Sequence, residues 1–152
     1  MRYDVISFVN SIVQNMKPVN YDQNFLLDHD FVSQNRVIEL NLPRQSGKTT
    51  AILDLFNPHS DILITKNVAC ADYFLHEYLD KNGTNHWFPS ASSLPIYTQS
   101  SIKNLFLGKR NTPRRFVFLD EVMWDYSLYE NLKYSNSVDL TTVYVSLVTR
   151  KL

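Results

Sequence analysis

Short apolar runs alternating with amphipathic segments predict an α/β fold, a mainly parallel sheet of about five strands flanked by helices. Phe116-Val117-Phe118-Leu119 is wholly apolar, as strands buried on both faces of a parallel sheet are. Val37–Leu42 and Asp61–Thr65 are similar runs, each followed by a stretch with helical spacing. Thr141–Val148 is dense in β-branched residues and reads as another strand.

Taken in order, Val5, Ile6, Val9, Ile12, Val13 and Met16 recur at three- and four-residue spacing. They predict an amphipathic helix within residues 1–17, closed by Lys17-Pro18 and packed on the sheet. Residues 19–35 are polar and read as irregular, apart from a short helix near Phe25–Leu27. After the Val37–Leu42 strand, a helix is expected from Lys48 to Phe56, before Pro58. Another should run from Asn67 to Asp80, with Ala71, Phe74, Leu75, Tyr78 and Leu79 inward, and stop near Gly83. Ile96–Thr98 is a weak strand, and Ser100 or Ser101 caps a brief helix through Leu107, ended by Gly108.

The 152 residues suit a single domain spanning 1–152, and the 3 glycines and 6 prolines leave little room for flexible linkers. Lys+Arg and Asp+Glu balance at 15 each, so no overall basic field draws nucleic acid. The one cysteine, Cys70, cannot form an internal disulfide, which fits a reducing compartment. No apolar run approaches the ~20 residues that cross a bilayer. Asp4, Asn10 and Gln14 interrupt the N-terminal apolar positions, so no signal peptide is read there and a cytoplasmic location is expected. His29, His59, His76, His86 and Cys70 share no metal-ligand spacing.

The stretch Asn41-Leu42-Pro43-Arg44-Gln45-Ser46-Gly47-Lys48-Thr49-Thr50 carries the chemistry. A strand, a tight turn of backbone N–H groups and a helix N-terminus together make a phosphate site. Gln45, Ser46, Gly47 and Thr50 would supply the cradle and Lys48 the charge on the β- and γ-phosphates of ATP. Thr49 would supply the hydroxyl that holds Mg2+. Leu42 stands where the common pattern has a further glycine. The second half of such a site follows the apolar run: Asp120 at a strand end to orient Mg2+, then Glu121 to polarise water. A glutamate there points to ATP hydrolysis by water. In that class the next strand inserts beside the phosphate-loop strand, with Ser146 or Thr149 as sensor of the γ-phosphate.

Residues 41–50 resemble the phosphate loop of the large terminase subunits of tailed phages, ATP-driven DNA-packaging motors. Loops of that family commonly lack the first glycine and carry Arg-Gln before Gly-Lys-Thr. The resemblance implies that Leu42 is tolerated, that Arg44 lies against the γ-phosphate, and that Gln23 recognises adenine. It also implies a host-cytoplasmic setting and double-stranded DNA as partner, through Lys109, Arg110, Arg114 and Arg115. The family continues into a nuclease domain with clustered acids, whereas this sequence ends soon after the coupling strand, so no nuclease activity is expected. Action as a homo-oligomer, as a minimal helicase-like ATPase, or as a nucleotide-binding module on a larger motor stays open.

Overall fold

The computed structural model describes residues 4–19, 28–44, 46–86, 88–90, 93–104, 114–135 and 137–149. The strands are β1 (Val37–Leu42), β2 (Asp61–Thr65), β3 (Ile96–Thr98), β4 (Phe116–Asp120) and β5 (Val143–Thr149). The helices are α1 (Val5–Gln14), α2 (Asp28–Asn35), α3 (Lys48–Leu55), α4 (Val68–Asn82) and α5 (Tyr126–Tyr134). The strands form one 5-stranded sheet in the order β1-β5-β4-β2-β3, and every neighbouring pair is parallel. This is the α/β arrangement predicted, with β5 inserted between β1 and β4 as expected.

All five residues of β2 and of β4 are buried. Their side chains alternate between two cores, one on each face of the sheet. Phe116 and Phe118 join Leu63, Val145 and Leu147 under α1, α3 and α4. Val117 and Leu119 join Ile62, Ile64 and Tyr144 under α2 and α5. Fully burying each such aliphatic or aromatic side chain contributes roughly 1.5–3 kcal/mol, which is why the pleat sets the register so firmly.

Helix α1 keeps Val5 and Val9 buried, with Ile6, Ile12, Val13 and Met16 packed around them, and Asp4 caps it by accepting from Ser7 N at 3.0 Å. Helix α4 starts at the Asn67 cap and ends at Gly83, whose φ of +72° would strain any other residue.

Three departures from expectation have local causes. Residues 28–35 form α2 rather than irregular chain; its sequence is polar and only Phe31 and Val32 are buried, so no apolar stripe announces it. The Phe25–Leu27 segment lies outside the described residues. Residues 126–134 form α5, capped by Asp125 accepting from Leu128 N at 2.7 Å. Its buried Leu128, Tyr129 and Leu132 are a short stripe that could have been found from Asp125 as N-cap. The Ser101 region forms a 3-10 turn, Gln99–Asn104, in which Ser101 Oγ donates to Thr98 O at 3.0 Å.

At the amino end of the sheet, Arg36 is buried directly before β1 and donates to three carbonyls, Leu140 O at 2.8 Å, Lys17 O at 2.6 Å and Asn35 O at 3.1 Å. These bonds tie the chain after α1 to the starts of β1 and β5.

Candidate functional site

Parallel strands place all their carboxyl ends on one side, and loops there are where α/β proteins bind ligands. Here β1 feeds the phosphate loop, β4 ends in Asp120-Glu121, and β5, lying between them, ends at Thr149. Residues far apart in sequence therefore meet at one edge.

Gly47 stands before α3 with φ +84° and gives it no side-chain cap. The first turn of α3 thus keeps backbone N–H groups facing outward, a positive dipole end suited to an anion. A cavity of about 250 Å³ opens there, lined in part by Arg44, Ser46, Gly47, Lys48, Thr49 and Thr149. Thr50 is on its wall as well, and Arg44 is exposed at its rim. Ser46 is buried. Gln45 and Gln23 lie outside the described residues.

Lys48 Nζ pairs with Glu121 Oε1 and sits 2.9 Å from Asp120 Oδ1. Lys48 is thereby shared between two carboxylates, and it is the cation that answers the buried Asp120 oxygen. Burial alone would lower the Lys48 pKa, but contacts with Glu121 and Asp120 outweigh it and raise it. For Asp120, burial raises the pKa, and the opposing pull of Lys48 does not cancel it. Burial also works against the charged form of Glu121, yet hydrogen bonds from Lys48 and Thr149 prevail and lower its pKa. Lys66, just past β2, adds a further favourable charge toward Asp120, and no sequence motif marks it.

Glu121 has φ +58°, the one non-glycine in the left-handed region among the described residues. That conformation costs on the order of 1–2 kcal/mol, so its surroundings must hold it. They do so from β5. Glu121 N donates to Leu147 O at 3.0 Å, Thr149 N donates to Glu121 Oε1 at 2.9 Å, and the Thr149 hydroxyl donates to the same oxygen. Ser146 acts elsewhere. It is fully buried and donates to Val122 O at 2.6 Å, pinning the turn after β4. Of the two sensor candidates, the structure brings Thr149 to the carboxylate and commits the Ser146 hydroxyl to that turn.

Two of the basic residues expected to meet DNA, Arg114 and Arg115, lie within the described residues. Arg115 lies at the opposite, amino end of the sheet, where Nη2 donates to Asp61 Oδ2 at 2.9 Å and the guanidinium stacks over Phe116. Arg114 N donates to Ser137 O at 2.8 Å and Arg114 O accepts from Thr142 Oγ1 at 2.6 Å, so its backbone is a sheet-end fixture. Lys109 and Arg110 lie outside the described residues.

Whether Mg2+ fits can be judged from the donor set. The buried Asp120 carboxylate, paired with Lys48, and the hydroxyl of Thr49, the next residue after Lys48, are hard oxygen donors of the kind that ion prefers. Among the described residues, no group of three or more His, Cys, Asp or Glu side chains could hold a metal, and no helix is long and apolar enough to cross a membrane.

No protein-family model matches the chain, and no curated protein matches it. Among solved structures, the chain is similar to the UvsW helicase from bacteriophage T4, with a TM-score of 0.43 and 13% identity. The alignment covers 95% of this chain and 61% of the helicase chain, so this chain spans less than two thirds of that structure's length.

Proposed function

We propose that the chain binds and hydrolyses ATP with Mg2+, in a viral DNA-packaging or helicase-like setting. The observation that carries this reading is the shared contact network of Lys48, Asp120, Glu121 and Thr149, drawn from the phosphate loop, β4 and the inserted β5. Lys48 would turn from the two carboxylates to the β- and γ-phosphates. That movement would free Glu121, whose charged form the Thr149 hydrogen bonds still favour, to orient and polarise the attacking water. Thr149 holds Glu121 in place from the strand that joins the two halves. Thr49 and Asp120 would hold Mg2+, which neutralises charge on the phosphates. Arg44 at the cavity rim would face charge developing on the γ-phosphate.

The test is steady-state phosphate release from ATP with Mg2+, with and without duplex DNA. Glu121→Gln should keep ATP binding and lose about a hundredfold or more in turnover. A Lys48→Ala variant that hydrolyses ATP at the wild-type rate would refute the assignment. Stimulation by DNA would support the motor setting.

A second reading, a nucleotide-binding module that acts on a larger motor, draws on a specific contact. Glu121 is held by Lys48 and Thr149 together, a carboxylate occupied rather than poised toward water. Binding of ATP without turnover, relieved by a partner or by self-association, would favour it.

A further inference from the structure

Beside the phosphate cavity lies a second one of about 330 Å³, between the start of α1 and one face of α3. Asp4, Val5 and Ile6 form one wall, and Thr50, Ala51 and Asp54 form the other. Gly47 and Thr50 line both cavities, so the two abut. Alone, the phosphate cavity is smaller than the roughly 300–1,000 Å³ of typical small-molecule sites, whereas the pair falls inside that range.

The two cavities differ in chemistry. Lys48 and Arg44 line the first, and no lysine or arginine among the described residues lines the second. Its floor is apolar, with Val5 and Ala51 buried, and its charged side chains are carboxylates, with the Thr50 hydroxyl beside them. Asp4 spends one oxygen on the Ser7 backbone amide, and that bond keeps its pKa low and the group charged. Asp54 pairs with Lys81 of α4. An apolar slot rimmed by acceptors repels phosphate and suits a flat ring that carries hydrogen-bond donors.

We propose that the cleft between α1 and α3 is the nucleoside subsite of the phosphate-loop site. It takes the base against Val5, Ile6 and Ala51, while Asp4 and Asp54 accept from the exocyclic amino group or the ribose hydroxyls. This rests on the reading that the loop binds a nucleoside triphosphate. It adds that α1, which precedes the phosphate loop by most of a helix, a connecting segment and a strand, completes the site.

Calorimetric titration of the full chain with ATP and with inorganic tripolyphosphate, each with Mg2+, separates the two cavities. Wild type should bind ATP at least about tenfold tighter than tripolyphosphate. Ile6→Trp, which fills the slot, should bring ATP down to the tripolyphosphate level and leave tripolyphosphate unchanged. Asp4→Asn keeps a helix cap. It should erase the wild-type preference for ATP over either inosine triphosphate, which lacks the amino group, or 2′-deoxy-ATP, which lacks a ribose hydroxyl. The arm that responds identifies the donor. Equal ATP and tripolyphosphate affinities in wild type, or Ile6→Trp weakening both ligands alike or neither, would overturn the subsite. So would Asp4→Asn changing neither arm. A wild type that binds neither ligand removes the phosphate-loop reading itself.

Discussion

Two buried aspartates stand at opposite ends of one strand pair. Asp61 opens β2 and Asp120 closes β4, its parallel neighbour. Asp61 accepts from the amides of Asn57 at 2.9 Å and Phe116 at 3.2 Å, from Ser60 Oγ at 3.1 Å, and from Arg115 through Nε at 3.2 Å and Nη2 at 2.9 Å. Its charge is answered by the fold. Asp120 has a raised pKa from burial and, at 2.9 Å, a lysine that it shares with Glu121. Its charge is answered only in part. The contrast distinguishes a buried acid that stabilises structure from one retained at a cost, the expected mark of a working site.

Four outcomes can break or sharpen that contrast. The largest is Lys48→Ala, which should reduce phosphate release by about a hundredfold or more while the far-UV circular dichroism stays that of the parent. Next is Asp61→Ala, expected to cost about 3 kcal/mol in urea unfolding because it strands two backbone amides and the Arg115 guanidinium. A loss below about 1 kcal/mol would erase the difference between the two ends. Asp120→Asn should go the other way in stability, neutral to about 1 kcal/mol stabilising, yet abolish turnover. A strong loss of stability there would mean that Asp120 is as structural as Asp61.

The smallest effect concerns pH. Glu121, with its lowered pKa, contributes stability that is present above the ordinary glutamate range and lost as pH falls through its folded value. Asp120 has the opposite sign: its penalty sets in as pH rises from the ordinary aspartate range through its raised value. Thr149→Val removes one donor to Glu121 and should shrink the acid-side loss by less than about 1 kcal/mol, read from melts across the acid limb. An unchanged acid limb would show that the hydroxyl contact does not hold the carboxylate.

Strands β1, β2, β3 and β4 could be read within a residue of their ends, because each is a short apolar-rich run and β2 and β4 are buried throughout. Helix α2 could not, because its sequence is polar and shows no apolar stripe, whereas α5 was missed although the Asp125 cap and its Leu128, Tyr129 and Leu132 mark it. At the candidate site, Lys48, Asp120 and Glu121 were singled out because phosphate and metal chemistry favours such residue types at fixed places, and the structure brings the three together. The choice of Thr149 over Ser146 was not, since strand alternation and the pinned Val122 turn decide which hydroxyl reaches Glu121. The ion pair of Arg115 with Asp61 was not legible for a related reason, for a basic residue just before a strand looks the same with or without a buried acid beside it. The approach of α1 to the loop is a tertiary event with no local signature.

The strand order also governs how the molecule comes into being. Among the described strands β1 pairs with β5 alone, and β5 follows the other four in the chain. During synthesis β4, β2 and β3 can join as they appear, while β1 and the loop that follows it wait for β5. A nascent chain halted before Val143 would therefore hold its acidic half and its phosphate-loop half unjoined, and the site would exist only once β5 is made.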